Sequence, residues 1–551
     1  MSVPDEHADS EPHAAYAGRW IAELRGRVIA QGGTPAQAAR AAQANRHKEK
    51  PIIRYVSTST PLTFAPLLYE MQPAVPDDAT VYLVGGAIRD ALMNRVSHDL
   101  DFAVDGNALT VSRQIADAMG GAYFPLDTEH KTGRVVFTLE NGKQMMLDFA
   151  SLRGPTLEAD LRARDFTINA IAANVRAPQQ LLDPLGGGLD IFHKRLRMCS
   201  NRAFEDDPLR VLRAVRQAAA FSMMIEPTTR KAMRAAAPKL AEVSGERQRD
   251  EVLKILSGPQ PATALRALEM LGALEPIFPE LAALKDTPQS PPHIYNVWEH
   301  TLQTVQKLET VLGVLAVRDH DPVNASNYHM GSAVMKLGRY RDQFHAHLAE
   351  ELVPERTARG LLFLAALYHD IGKPATRSVD ADGRIRFFGH EEEGRKIVSQ
   401  RGQALKLSNI ELTRLKAVVG GHMRPHYLAS APKPPTRRAI FRFFRKMDEA
   451  AVDICLLNLA DLWATSGNQL TEDLWLHYLN IHRTLLEAYY EKPEEAVRPP
   501  RLITGKDIID LFDVPQGPKI GELLEKLLEV QADGEITTRE DALAFIEEQI
   551  K

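Results

Sequence analysis

Hydrophobic and polar positions alternate in short runs from about Thr60 to Arg197, and the rhythm changes beyond Ala203. In the first stretch, apolar runs bounded by Gly, Asp and Asn predict strands at Val81–Val84, Asp99–Val104, Arg134–Leu139 and Met145–Phe149, with helices between them. Beyond Ala203, Leu and Arg recur at helical spacing through Leu274. Pro276, Pro279 and the Pro288–Pro292 cluster mark a linker, and a second helical region runs from Ile294 to about Tyr490. Pro493, Pro499 and Pro500 set off a C-terminal module ending at Lys551. The first fifty or so residues are Ala- and Gln-rich and predict a mobile tail with one or two short helices. The succession is α+β: a small mixed-sheet domain followed by all-helical regions.

The strand ending at Val84 runs into Gly85-Gly86 and a helix start carrying Arg89-Asp90. Glycine lets the backbone approach a phosphate, and N–H groups at a helix start favour an anion. The next strand begins Ser97-His98-Asp99-Leu100-Asp101-Phe102. Strand side chains alternate faces, so Asp99 and Asp101 project to one side. Two adjacent carboxylates repel unless a cation sits between them, and Mg²⁺ bridged to substrate phosphates is the natural occupant. Taken singly, the glycines read as a plain turn and the acids as solvated surface. In this order they describe a two-metal phosphoryl- or nucleotidyl-transfer site.

Composition narrows the setting. At 551 residues the chain has room for three or four domains, and its 44% hydrophobic and 25% charged content is that of a soluble globular protein. The apolar stretch Leu361–Leu367 is too short to span a bilayer, and the N-terminus lacks a charged-then-apolar signal pattern. Cys199 and Cys455 offer no disulfide framework, so a reducing, cytoplasmic setting without membrane association is expected. The net charge of −5 argues against a uniformly basic nucleic-acid binder. Basic residues nevertheless crowd two places. Arg25, Arg27, Arg40, Arg46, Lys48, Lys50 and Arg54 mark the N-terminal region; Lys433, Arg437, Arg438, Arg442, Arg445 and Lys446 interleave with Phe441, Phe443 and Phe444. The second cluster reads either as a solvated helix face over a core or as a phosphate-backbone contact.

Later blocks supply partners for the acid pair. Asp160-Leu-Arg-Ala-Arg164-Asp165-Phe-Thr167-Ile-Asn169 offers Arg, Asp and Asn to a sugar or triphosphate, and Asp183-Pro-Leu-Gly186-Gly187-Gly188-Leu-Asp190 reads as a flexible turn closing the sheet domain. Asp206-Asp207-Pro208-Leu-Arg210-Val-Leu-Arg213 opens a helix with proline in its first turn. Asp207 and Arg210 share a helix face. A carboxylate and a guanidinium there would suit the amino donor and ring acceptor that cytosine and adenine both present, and would mismatch uracil and guanine. The plainer reading is an intrahelical salt bridge.

The series Gly85-Gly86, Arg89-Asp90, Asp99-Leu-Asp101, Arg164 to Asn169, Asp206 to Arg210 and Glu246-Arg247 resembles class II tRNA nucleotidyltransferases, the CCA-adding enzymes, whose pattern bacterial poly(A) polymerases share. The resemblance implies a polymerase-beta-like head on a helical neck, body and tail. It implies Mg²⁺ on Asp99 and Asp101, and a nucleotide site built from Gly85, Gly86, Arg89, Asp90, Arg164, Asp165, Asn169, Asp207, Arg210 and Arg213, with Asp207 and Arg210 templating the base. Asp148 sits where related polymerases offer a third acid. The implied substrates are tRNA, CTP and ATP. Alternatives are poly(A) polymerase, a CC- or A-adding enzyme, and an RNA-binding protein with an inactive head. The corresponding boundaries are an extension over 1–59, head 60–197, neck 198–280, body 293–490 and tail 500–551.

The body carries a second set of ligands. His300, the adjacent pair His369-Asp370 with Lys373 three residues on, then His390, His422 and Asp461 are imidazoles and carboxylates suited to Mn, Ni, Fe or Zn. Their order resembles HD-domain phosphohydrolases, with His390 and His422 widening the site to two metals. A long insertion from Gly313 to Arg359 separates the first histidine from the pair. The resemblance implies hydrolysis of 2′,3′-cyclic phosphates or related phosphoesters, with Lys373 or Arg424 as a phosphate contact. The plainer reading is a body that only holds tRNA.

Overall fold

Strands β1 (Arg19–Leu24), β2 (Arg27–Gly32) and β3 (Ile52–Val56) form an antiparallel sheet in the order β2-β1-β3, and a helix over Pro35–Ala44 packs beside it. The expected Ala-rich helix is therefore present, and the strands were not foreseen. Ile21 and Ala22 are wholly buried, although alternation in this short stretch is interrupted by a register shift at Ala22/Glu23. The computed structural model describes residues 19–24, 27–44, 51–56, 61–138, 144–317 and 327–550. Of the N-terminal basic cluster, Arg25, Arg46, Lys48, Lys50 and the Arg27 side chain lie outside the described residues, and Arg54 pairs with Glu23 at 2.6 Å.

The head sheet has seven strands: β4 (Thr80–Val84), β5 (Leu100–Asp105), β6 (Ala122–Asp127), β7 (Thr132–Thr138), β8 (Gln144–Ser151), β9 (Ala172–Asn174) and β10 (Leu181–Leu182). Their spatial order is β10-β9-β4-β5-β8-β7-β6, with β5 and β8 parallel and the other neighbours antiparallel. The sheet is mixed, as expected. Leu100, Phe102 and Val104 bury the same face of β5, and Phe102 stacks on Phe149 of β8 with centroids 4.7 Å apart. Helix Ala108–Met119 is capped by Asn107 and ended by Gly120 in the left-handed region, and it buries Val111 and Ile115. β6, β9 and β10 escaped the sequence reading because they are short or largely exposed.

The turn read as flexible near Asp183 is instead tightly built. Both Asp183 oxygens accept backbone hydrogen bonds, from Gly187 at 2.7 Å and Gly188 at 2.8 Å, at the start of helix Gly187–Phe192. A Cβ on Gly187 would lie 2.0 Å from the Thr167 carbonyl oxygen, so only glycine permits this packing. Asp190 is wholly buried between Thr167, Arg195 and Arg197.

The chain divides into two compact units, Met1–Lys239 and Leu240–Lys551, and the division falls within the stretch read as the neck. In the second unit, helix Val297–Leu315 packs on Ala450–Ser466 and on Ala358–Tyr368. The proline-marked linker is not loose. Glu280 takes a two-point pair from Arg401 at 2.8 and 2.7 Å and accepts from Tyr368 Oη at 2.6 Å. The long insertion contributes helices Tyr328–Leu337 and Arg341–Ala349, anchored by Trp475 Nε1 donating to the His329 carbonyl and by His347 beside buried Asp453. The tail is three helices, Gly505–Phe512, Pro518–Asp533 and Arg539–Ile550, around Ile508, Leu523, Leu527 and Ile546. Among the described residues, no helix is long and apolar enough to cross a membrane.

Candidate active sites in the two units

Strand register assembles the acids of the head. Asp101 on β5 stands opposite Asp148 on β8, and Val84, the last residue of β4, stands opposite Asp101 from the other side. Asp99 lies one residue before β5. Gly85 then turns with φ +76°, and a Cβ there would lie 3.2 Å from Asp101 Oδ2 and 3.5 Å from Arg164 Nη1. The second glycine, Gly86, begins helix Gly86–Leu92, which carries Arg89 and Asp90.

Burial raises the Asp101 pKa even though its side chain keeps solvent access; Asp148 and Asp99 add to the rise, against the pull of Arg164 and Arg213. Crowded carboxylates of this kind fit a divalent cation, which would relieve their repulsion. Asp148 also takes a two-point pair from Arg134 at 2.7 and 2.8 Å. That pairing partly neutralises the third acid and was invisible in the sequence, since only the β7–β8 register brings Arg134 opposite Asp148.

The remaining predicted head residues divide into three groups. Arg164 pairs with Asp160 at 3.1 Å and borders Asp101. Asp165 and Asn169 are buried and tied together at 3.0 Å, with Arg213 on Asp165 at 2.9 Å and Arg89 on Asn169 at 2.8 Å. Hydrogen bonds and Arg213 hold the Asp165 carboxyl below its usual pKa despite burial. Arg89 also bonds Asp90 and lies 4.3 Å over the Phe221 ring; Gln217 completes the network through Asn169. Asp207 accepts from the Leu209 backbone, and the Arg210 guanidinium donates to the carbonyls of Ala163, Arg164 and Ala203. Arg210 thus fastens the turn after Arg162 to the start of its own helix.

The body's ligands converge despite their distance in sequence. His300 Nε2 and His369 Nε2 lie 3.3 Å apart, and His390 Nε2 and His422 Nε2 lie 3.2 Å apart. Asp370 stands between the pairs: Oδ2 is 3.4 Å from His300 and 3.3 Å from His369, and Oδ1 is 3.5 Å from His390 and 3.7 Å from His422. Two groups able to hold a metal result, His300/His369/Asp370 and Asp370/His390/His422, with Asp461 Oδ1 3.0 Å from His300.

The donor chemistry fits metals. His369, His390 and His422 direct Nδ1 at the carbonyls of Ala366, Phe387 and Val419 at 2.8, 2.8 and 2.7 Å, which leaves each Nε2 as the inward lone pair. Burial, reinforced by the His390 and His369 rings, pushes the His422 pKa down to about 3, and burial lowers those of His300 and His390, which favours neutral rings able to ligate; against the effect of burial, Asp370 raises that of His369. Lys373 Nζ sits 2.6 Å from Asp370 Oδ2 and 2.7 Å from Gln289 Oε1. Lys373 is therefore committed within the cluster, while Arg424 borders a cleft of about 640 Å³ with Arg442, Arg445 and Glu525. Gln289 and His426, which bonds Asp461 at 3.0 Å, were missed. His426 carried a signal, four residues after His422.

The second basic cluster is largely paired. Arg438 meets Glu529 at 2.6 Å, Arg442 meets the same carboxylate, Arg445 approaches Glu525 at 3.8 Å, and Arg437 pairs with Glu495 at 3.1 Å. Phe441, Phe443 and Phe444 are buried beneath. Of the two readings these ion pairs favour the helix face over an aromatic core: Arg438, Arg442 and Arg445 form a seam with helix Pro518–Asp533, because the tail supplies acids that the local sequence lacks.

Comparison with known proteins places these features in one context. The model of the poly A polymerase head domain matches residues 81–197, that of a probable RNA and SrmB-binding site of polymerase A matches 222–285, and an HD domain model matches 343–461. His300 precedes the last range and is supplied by helix Val297–Leu315. An A-adding tRNA nucleotidyltransferase of Deinococcus radiodurans is 34% identical over 86% of this chain and 96% of its own length. A CC-adding tRNA nucleotidyltransferase of Geobacter sulfurreducens is 32% identical over 84% and 91%. A multifunctional CCA protein of Stenotrophomonas maltophilia is 40% identical over 38% of this chain and 53% of its own. A solved CCA-adding enzyme in complex with CTP shares the fold, with a TM-score of 0.56 at 20% identity over 88% of this chain and 96% of that one.

Proposed function

This chain belongs to the tRNA nucleotidyltransferase family, and we propose that it adds CMP and AMP to the 3′ end of tRNA from CTP and ATP. The observation that carries the proposal is the register of Asp101 with Asp148 across β5 and β8, with Asp99 beside them and Gly85 closing against Asp101. Asp99 and Asp101 would hold the divalent metal, Mg²⁺ in this proposal, whose chemistry when bound is to polarise the attacking hydroxyl and the departing oxygen. The tRNA 3′-hydroxyl attacks the nucleotide α-phosphate, and pyrophosphate leaves. Arg164, beside Asp101, would meet triphosphate charge; the Asp165–Asn169–Arg213 network would hold Arg89 and the sugar-facing turn in place. Asp207 and Arg210 would read the base, with the Arg210 carbonyl contacts exchanged when a base binds. We assign the head to 60–197, neck to 198–280, body to 293–490 and tail to 500–551, preceded by the 1–59 extension, and place the protein in the cytoplasm, in keeping with its free thiols Cys199 and Cys455.

A second reading is favoured by one observation: several relatives that match over most of the chain are named A-adding or CC-adding. Incubation with tRNA lacking its CCA end, and with tRNA ending in C or CC, separates them when each labelled nucleotide is supplied alone. Sequential C, C and A addition supports the proposal. Incorporation of C alone or A alone would replace it with the partial enzyme. Unimpaired incorporation by Asp99→Ala would sink the head assignment altogether.

The body supports an additional activity, hydrolysis of 2′,3′-cyclic phosphates or related phosphoesters. His300, His369, Asp370, Asp461, His390 and His422 would hold one or two transition metals, whose chemistry when bound is to make water a nucleophile at neutral pH. Purified protein with Mn²⁺ or Ni²⁺ should hydrolyse a 2′,3′-cyclic nucleotide, and the His369→Ala, Asp370→Ala double variant should not. No hydrolysis with any metal tried would leave the body as a tRNA-holding scaffold.

A further inference from the structure

We propose that His426 and Tyr478 form the outer support of the body's metal cluster, a positioning pair that fixes the Asp461 carboxylate for a transition metal. The inference rests on the metal-centre reading above and adds residues to it. Asp461 divides its two oxygens. Oδ1 lies 3.0 Å from His300 Nε2 and 3.8 Å from His369 Nε2, on the side of the first ligand group. Oδ2 lies 3.0 Å from His426 Nε2. A carboxylate only accepts hydrogen bonds, so His426 Nε2 carries the proton and donates it to Oδ2. In the neutral ring, Nδ1 is then an acceptor, and it finds the Tyr478 hydroxyl at 2.9 Å. One proton arrangement satisfies the whole chain from phenol to imidazole to carboxylate.

The pair is held from outside. His426 lies on helix Arg424–Ser430, where Ser430 Oγ donates to the His426 carbonyl at 2.8 Å and His477 Nε2 lies 2.8 Å from the Ala429 carbonyl oxygen. Tyr478 is buried on helix Glu472–Tyr490, and its ring meets the His426 ring edge-on with centroids 5.5 Å apart. Rotation of Asp461 away from His300 would break the hydrogen bond from His426. His426 is not itself a ligand, because its one inward nitrogen is spent on the Asp461 oxygen that faces away from His300. The same short segment therefore serves both halves of the cluster. His422 faces Asp370 Oδ1 on the second side, and His426, four residues on, steadies Asp461 on the first. Outer partners of this kind set ligand orientation, and their loss commonly weakens metal binding about 10- to 100-fold.

The test is Mn²⁺ affinity and Mn²⁺ retained per chain, measured on full-length protein carrying Asp99→Ala and Asp101→Ala so that the head carboxylates do not contribute. In that parent, His426→Ala should weaken Mn²⁺ binding about 10-fold or more. Tyr478→Phe should lose less in the same direction, and His426→Gln, whose amide N–H can replace the donated hydrogen bond, should recover most of the affinity. Melting of the metal-free proteins is followed in parallel. A drop in melting temperature across all three variants with unchanged Mn²⁺ affinity would overturn the inference and leave the pair as packing. Strong Mn²⁺ binding in the parent and equal binding in His426→Ala would overturn it while leaving the metal centre standing. A parent that binds no Mn²⁺ would overturn both.

Discussion

At the residue scale, Gly85 shows how much of a site rests on backbone freedom. Its φ of +76° and ψ of −135° fall where side chains are strained, and the missing Cβ leaves room for Asp101 against the turn. Gly85→Ala should therefore cost about 1–3 kcal/mol in strain and displace Asp101. Nucleotide incorporation should fall at least 10-fold, well beyond the modest loss in melting temperature; unchanged incorporation would separate the glycine from the site. Base choice rests on another single residue. If Arg210 reads the pairing edge, Arg210→Ala should relax the preference for CTP and ATP over UTP and GTP, whereas a role confined to holding the Ala163 and Arg164 carbonyls should lower stability and leave selectivity intact. The glycines, the acid pair and these arginines were legible because each chemistry needs a particular residue type. Arg134 and Gln217 were not legible, because their meaning comes only from partners brought near by strand register and helix packing.

A third residue carries a pH dependence. Burial pushes the Asp183 carboxyl up to about 6, against the pull of the Gly187 and Gly188 N–H groups, with Asp190 adding to the rise. The folded pKa lies above the unfolded value, so the folded state binds the proton more tightly. Asp183 is then no burden below about pH 4, and stability is lost as pH rises from there through about 6, by roughly 2–3 kcal/mol from a shift of that size. Asp183→Asn cannot ionise. Its stability relative to the parent should rise between pH 4 and 7, on top of a constant penalty for the one acceptor it lacks. Denaturant unfolding at a series of pH values checks this, and a flat difference would show that the carboxyl is not buried as described.

At the scale of elements, the sequence reading succeeded where apolar runs are marked within the local sequence and failed where an element draws its meaning from a distant neighbour. Helices Val297–Leu315 and Ala450–Ser466 fall within the region from Ile294 to about Tyr490 that was expected to be helical, and strands β4, β5 and β8 follow from short apolar runs. The N-terminal sheet was hidden behind an Ala-rich composition, and the linker at Glu280 behind prolines that mark a break without excluding tight packing. Helix Arg437–Met447 is the clearest case. Its buried face is plain in Ile440, Phe441, Phe443 and Phe444, but its basic face takes its role from Glu525 and Glu529, about eighty residues later. Half-exposed ion pairs contribute roughly 0.2–1 kcal/mol each. The double variant Arg438→Ala, Arg442→Ala should therefore speed hydrogen exchange in helix Pro518–Asp533 severalfold, with the difference shrinking at high salt. Unchanged exchange together with weakened RNA binding would restore the phosphate-contact reading.

At the scale of the whole molecule, the two ligand sets lie in different compact units and differ in kind. The head offers Asp99, Asp101 and Asp148, all oxygen donors, which suit a hard ion such as Mg²⁺. The body offers four imidazoles with Asp370 and Asp461, which suit a transition metal and bind Mg²⁺ poorly. Softness of the donors thus predicts that the two activities part company under selective chelation. With millimolar Mg²⁺ present, 1,10-phenanthroline should strip the body's metal and abolish cyclic-phosphate hydrolysis while nucleotide incorporation continues. Restoring Mn²⁺ or Ni²⁺ should bring hydrolysis back. The variants should mirror this: Asp99→Ala loses incorporation and keeps hydrolysis, and His369→Ala with Asp370→Ala does the reverse. If phenanthroline stopped both reactions together, or if the body variant lost incorporation while its melting profile stayed intact, the sites would be coupled through one metal requirement and the division of labour between hard and soft ligands would fail.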